Sequence, residues 1–237
     1  HTSTVATVEL PRADGVAFDV EHRLTPRLQL EAGVRARRGS KLPTVIVPPA
    51  GGSLLLASVG DSRYRELQVS MRQVWRADTQ AFVSYVWSSS RGDVNDFGSL
   101  YTSLTAPFVE PGADAPTPGD VPHRLRGWAT MGLPRHVVVS PSLEWRTGFP
   151  YSVLNLAREY VGTPNGARFQ SYFSADVTAF KTFDILRRKI DLGLQVFNLT
   201  RHFNPRDVIS IKGSSQFQQF TNSFGTTLGG YMQVRWE

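Results

Sequence analysis

Apolar residues take every second place in stretch after stretch of this chain. In the segment RELQVSMRQVWRADTQAFVSYVWS (Arg65–Ser88), Leu67, Val69, Met71 and Trp75 alternate with Glu66, Gln68, Ser70 and Arg72. After RADTQ the pattern resumes with Ala81, Val83, Tyr85 and Trp87. Successive side chains of a strand point to opposite faces, so this spacing makes one oily face and one wet face; on a helix the same residues would scatter around the axis. The same period recurs at 16–24, 28–36, 125–133, 137–149, 173–183, 190–196 and 228–236. Together these predict nine strands, and TSTVATVEL near the N-terminus is expected to add part of a tenth.

The connections alternate in length. TPR, RADT, PRH and LRRK are short, whereas about 39–62, 93–121, 150–169 and 202–224 are long and rich in Gly, Pro, Ser, Asn and Asp. All short turns then fall at one end of a meander and all long loops at the other, which is the layout of outer-membrane barrels. A soluble sandwich mixes hairpins with Greek-key crossings and does not sort its loops by length.

An oily face needs no covering helix if lipid covers it. Every backbone N–H and C=O in lipid must be paired, so such strands belong to a closed barrel. The wet face then lines a lumen. It carries Asp19, Glu21, Arg23, Glu31, Arg35, Arg37, Glu66, Arg72, Arg76, Arg124, Arg126, Glu144, Arg146, Asp176 and Asp191, with both signs interleaved for cross-strand pairing. Trp75 and Trp236 fall near short-turn ends or the terminus, and Tyr85, Trp87, Trp145 and Phe149 near long-loop ends, as two interfacial girdles would. The fold class expected is all-β: an antiparallel up-and-down transmembrane β-barrel. The odd strand count and a first strand without its partner lead us to expect residues 1–237 to be the C-terminal part, about 9–10 strands, of a larger barrel.

Composition narrows the partners. There is no cysteine, which removes disulfides and thiolate metal sites, and no run approaches the roughly 18 apolar residues of a membrane helix. The net charge of +6 comes from arginines spread along strands, with no helix-turn-helix, zinc or RNP-like pattern, so no nucleic acid partner is expected. The basic balance suits anionic outer-membrane lipid and lipopolysaccharide.

Five stretches resemble one family, the TonB-dependent outer-membrane receptors, and in particular its Oar-like group. SYVWSSSRGDVND (Ser84–Asp96) resembles the strand that runs into an Asp-rich loop, and DVPHRLRGWATMGLP (Asp120–Pro134) the Asp-x-x-His-Arg strand ending in Leu-Pro. LEWRTGFPYSV (Leu143–Val153) is similar to the Arg-Ser/Thr-Gly-x-Pro-aromatic segment. YFSADVTAFKTFDI and VFNLTRHFNPRDV resemble the final hairpin, with Thr200 and Arg201 where the family often has Phe-Asn. The order and spacing match from about Asp61 to Glu237, although such barrels usually finish on an aromatic and this chain ends Trp236–Glu237. The resemblance implies a barrel of about 22 strands. It also implies an N-terminal plug and earlier strands outside this chain, and energy from the TonB complex through a box near the mature N-terminus.

The function expected is that of a receptor and transporter wall for TonB-energised uptake of a scarce small ligand: a siderophore, carbohydrate or peptide. It needs no cofactor or metal and breaks no bond. Candidate lumen-lining residues are Glu66, Arg72, Arg124, Arg126, Glu144, Arg146 and Asp176, as partners of the plug or of ligand. In the loops, Tyr101, Phe108, Tyr160, Phe217 and Phe220 are candidates to stack on ligand. The alternatives are a passive porin or structural outer-membrane barrel, and a barrel-borne hydrolase. For the last, His123 and His202 have Asp120 and Asp207 close in sequence, but no nucleophile motif or metal-spaced His pair accompanies them. The glycines of SFGTTLGGY read as thinning the last strand against its neighbour.

Overall fold

The computed structural model describes residues 4–5, 8–46, 55–93, 108–185 and 188–236. Every regular element among them is a strand. Nine long strands follow one another: β1 (Arg12–Thr25), β2 (Leu28–Ile46), β3 (Leu55–Arg76), β4 (Thr79–Gly92), β5 (His123–Leu133), β6 (Val137–Arg146), β7 (Tyr172–Ile185), β8 (Arg188–Phe197) and β9 (Thr227–Trp236). Each pairs antiparallel with its sequence neighbours and with no other long strand, so the sheet order is the chain order. Two or three residues separate the strands at one end of the sheet; residues 47–54, 93–122, 147–171 and 198–226 separate them at the other. The predicted up-and-down meander and its sorting of connections are both present.

Register aligns the faces across the sheet. One row reads Val20, Ala32, Val69, Tyr85, Leu125, Trp145, Phe173, and the row below it His22, Leu30, Met71, Val83, Gly127, Leu143, Ala175. The alternate rows are polar: Glu21, Glu31, Ser70, Ser84, Arg126, Glu144, Ser174. Since the side-chain period is two, a slip of one residue on any strand would exchange the faces. The short turns at 26–27, 77–78 and 134–136 hold that register by closing their hairpins at the base.

The oily face is covered by no part of the described chain. Val69, Met71, Trp87, Leu143, Leu192 and Leu194 are all exposed. The few buried apolar side chains are instead Val45, Val109, Ala115, Tyr151 and Leu154, near or in the long connections. From Trp87 to Thr79 the oily band runs about 27 Å along β4, or about 21 Å in height at a tilt near 40°.

Three features differ from expectation. The described residues of the segment 39–62 are strand, not loop: β2 runs on to Ile46 and β3 begins at Leu55, paired from Ile46–Leu55 downward. Gly39 and Pro43 are absorbed by register shifts between them, with Lys41 at φ 56°. Among the described residues before Arg12, Thr4–Val5 forms a strand, and it pairs parallel with Leu55–Leu56 at the long-loop end instead of adding an antiparallel wall strand. The glycine that matters near the last strand is Gly193 on β8. A Cβ there would lie 2.3 Å from the Tyr231 ring of β9, whereas one at Gly229 would meet nothing within 4 Å.

Candidate functional site

The polar face is a ladder of paired charges. On β6, Glu144 accepts from Arg124 at 2.8 Å and Arg126 at 3.2 Å, both on β5, and lies 3.7 Å from Arg146 on its own strand. Farther round the sheet Arg35 bridges Glu66 at 2.5 Å and Asp19 at 3.1 Å, and Tyr64 also donates to Glu66. Arg72 donates to Gln80 at 2.8 Å. Among the described residues Asp176 has no ion pair; it accepts from the Ser174 hydroxyl at 2.6 Å and the Asn198 backbone N–H at 2.8 Å, closing the top of β7. Of the predicted wall residues, the structure therefore gathers Arg124, Arg126, Glu144 and Arg146 into one cluster and leaves Glu66, Arg72 and Asp176 in separate ones. One break in the wet face is aromatic: Trp128 stacks on Phe82 at 5.9 Å, beside Arg72 and Glu31, around a cavity of ≈ 300 Å³.

The long connections are anchored by buried polar side chains that bridge distant parts of the chain. Asp120 pairs with Arg168 and accepts from the Ser90 N–H at 2.6 Å. Asn204 copies a strand: its amide accepts from the Phe173 N–H at 2.9 Å and donates to the Phe173 carbonyl at 2.8 Å. Asp93, the last residue of RGD, accepts from the N–H groups of Asp61 and Gly112, at 2.6 and 2.7 Å. Leu154 joins two loops, donating to the Ser210 carbonyl at 3.0 Å and accepting from Lys212 at 2.7 Å. Rings of Tyr151, Phe169 and Phe220 pack together, with centroids 5.4 to 6.3 Å apart.

Asp114 clamps the 108–122 segment to the sheet, with Arg63 at 2.9 Å and Arg91 at 3.1 Å. Desolvation works to raise its carboxyl, but the hydrogen bonds and charges of Arg91 and Arg63 outweigh it and hold the carboxyl below its ordinary value of 3.8. The clamp is therefore complete above that ordinary value and is lost as pH falls through the lowered folded one. Amide exchange at Ala113 and Thr117, corrected for intrinsic rate, should accelerate only under acid conditions in the native protein. In Asp114→Asn it should already be fast at pH 6, and equal protection in the two proteins would refute the clamp.

Above the Glu144 cluster the loops 147–171 and 198–226 overhang a cavity of ≈ 240 Å³, lined by Arg146, Phe149, Phe169, Tyr172, Arg206 and Phe224 among others. The Arg146 guanidinium lies 4.1 Å from the Phe149 ring centre and 4.6 Å from that of Tyr172, and Arg206 lies 4.6 Å from that of Phe224. Rings that hold a guanidinium by its flat face leave its N–H edge for an anion. Sequence reasoning missed Arg206, Phe224 and Asn204; the Asn-Pro-Arg run (Asn204–Arg206) was the available signal.

The loop aromatics predicted to meet ligand are dispersed. Phe220 belongs to the Tyr151–Phe169 cluster. Tyr160 sits at a bridge with Leu154, where burial pushes its hydroxyl up. Phe217 lies in the turns after Ser214, Phe108 is half-buried beside Val109, and Tyr101 lies outside the described residues. The pairs considered for hydrolysis do not assemble. His123 Nδ1 bonds the Tyr85 hydroxyl at 2.7 Å on the oily face, Asp120 is held by Arg168, and Asp207 by Asn222 at 2.5 Å.

No protein-family model and no curated protein matches the chain. Solved structures do. The outer membrane transporter YddB from Escherichia coli aligns with 98% of this chain at a TM-score of 0.67 and 11% identity. The FrpB iron transporter from Neisseria meningitidis (F3-3 variant) aligns with 98% at 0.63 and 12% identity. The copper transporter OprC aligns with 96% at 0.51 and 13% identity. The fold is that of a partial outer-membrane transporter barrel. The chain spans about a third of the length of each of these structures, 32 to 34%.

Proposed function

We propose that the chain is the C-terminal part of the wall of a TonB-dependent outer-membrane receptor of the Oar-like group. Earlier strands close the barrel, an N-terminal plug fills it, and the TonB complex energises uptake of a scarce ligand. The observation that carries the reading is the oily face: in register, continuous across the sheet, and covered by no part of the described chain, while the opposite face pairs its charges. A soluble protein does not leave so large an apolar sheet to water, and lipid removes the conflict. The likeness of fold to outer-membrane transporters supports the same reading.

On this reading the polar face lines the lumen. Arg124, Arg126, Glu144 and Arg146 satisfy one another, Glu66, Arg72 and Asp176 are held by other wall residues, and all seven face the plug. The cavity beneath the loops takes an anionic, flat-edged part of the ligand, between Arg146 and Arg206. A siderophore or other chelate with carboxylate or phenolate groups fits that chemistry better than a neutral carbohydrate.

The test uses the full-length protein in its host, with ⁵⁵Fe-loaded citrate, catecholate and hydroxamate chelates as probes. Uptake of at least one anionic chelate should be lost both without the receptor and without TonB. At limiting concentration it should fall about tenfold in Arg206→Gln, the loss of one charge-assisted bond, with the barrel's abundance unchanged. Uptake that persists without TonB would favour a passive porin, and uptake indifferent to the receptor for every probe would remove the chelate assignment.

A further inference from the structure

The oily face ends upward in arginines. Trp87 on β4 and Leu67 on β3 share the topmost apolar row of that sector. One step higher, on the same face, the register row is Val16, Ala36, Arg65, Ser89; one step higher again it is Asp14, Arg38, Arg63, Arg91. Two residues of strand rise about 7 Å, and neighbouring strands lie about 4.8 Å apart. Four guanidiniums thus crowd into two adjacent rows immediately above the apolar band.

Like charges directly opposite on adjacent strands repel. The chain relieves this only in part. Asp114 takes Arg63 and Arg91, and Asp61 reaches Arg38 only at 3.8 Å. Arg65 is exposed and has no carboxylate within ion-pair distance among the described residues; its row neighbours Ala36 and Ser89 are small and leave it open. A cavity of ≈ 330 Å³ opens among Arg38, Val59, Asp61, Arg63 and Asp114. On this face β5 begins only at His123, in register with Trp87, and β6 and β7 meet one residue lower, at Arg146 and Tyr172, so none of these strands carries a counterpart of the two arginine rows. The basic patch is therefore local to β2–β4 and is not a belt around the wall.

We propose that Arg38, Arg63 and Arg65 form a binding site on the outer wall for a phosphorylated lipid headgroup of the outer leaflet. The inference rests on the membrane-barrel reading above. The patch faces away from the lumen, so a transported ligand does not meet it. It is continuous with the apolar band, so an occupant with acyl chains lies along Leu67, Val69 and Trp87 while its phosphate meets the arginines. Guanidinium is the cation suited to a phosphate, which it grips through two parallel N–H bonds. A bisphosphorylated glycolipid such as lipid A supplies both parts.

The experiment titrates the full-length protein in detergent micelles with bisphosphorylated lipid A, its dephosphorylated form and inorganic phosphate, read by native mass spectrometry. Arg65→Ser should bind the bisphosphorylated lipid about tenfold more weakly. Arg65→Lys should recover part of the loss. Lys181→Ser, which removes a cation from the same face at the short-turn end, should bind as the native protein does. Dephosphorylated lipid should bind weakly to all of them. Native-like binding by Arg65→Ser overturns the site, and so does inorganic phosphate that competes equally with the lipid, since the site would then hold a free anion. Heat-modifiable migration of the same preparations in SDS separates the two readings. A protein without it is no barrel and both readings fall; a heat-modifiable barrel whose Arg65→Ser variant binds normally removes only the lipid site.

Discussion

Arginine in place of Met71 should cost the folded full-length barrel about 2–4 kcal/mol in lipid vesicles. Met71 sits mid-way down the oily band, between Leu30 and Val83, with 41% of its surface exposed. On a soluble sheet a residue so exposed tolerates arginine to within about 0.5 kcal/mol, since water solvates the guanidinium. In a bilayer the same group must either be dehydrated or drag water and headgroups inward. Urea titration of the vesicle-embedded protein, with tryptophan emission as the readout, separates the two. A change below about 0.5 kcal/mol would remove lipid from the account of this face. The charge would matter far less beside Arg65, where headgroups are within reach.

Glu144→Ala should destabilise the barrel by about 3 kcal/mol, because removing one member of a partly buried charge cluster leaves the others uncompensated. The Glu144 side chain is 24% exposed and faces Arg124, Arg126 and Arg146 together. Arg124 and Arg146 are direct cross-strand partners, so without the carboxylate two like charges stand opposite each other. Glu144→Gln keeps an acceptor and should lose less. Adding Arg126→Gln to Glu144→Ala should recover part of the loss, since it lowers the stranded charge. The thermal midpoint of heat-modifiable migration measures all three; an Ala variant that melts with the native protein would make the cluster ornamental to stability.

Period-two spacing made the wall readable. All nine strands lie where alternation places them, because each has one face that must be oily and one that need not be. The upper part of the β2–β3 hairpin was hidden by its composition: Gly39 and Pro43 are loop residues in isolation, and only the local register shifts show how a ladder accommodates them. The loop anchors were hidden for a different reason. Asp120 and Arg168 are 48 residues apart, Asn204 and Phe173 are 31 apart, and nothing local in either partner announces the other. The Arg146–Arg206 cavity shares that property. Its arginines come from a strand end and from a distant loop, and only the fold brings the two together.

The strict neighbour-to-neighbour order of the strands has an evolutionary consequence. Each long connection begins and ends on two strands already joined by their own ladder, so its length and content are insulated from the register of the wall. Lengthening a loop adds closure entropy only logarithmically, about 0.6 kcal/mol for each doubling. Such a chain can exchange what it recognises by swapping cassettes at one rim, while the staves beneath keep a fixed pattern that neither knows nor constrains the cargo.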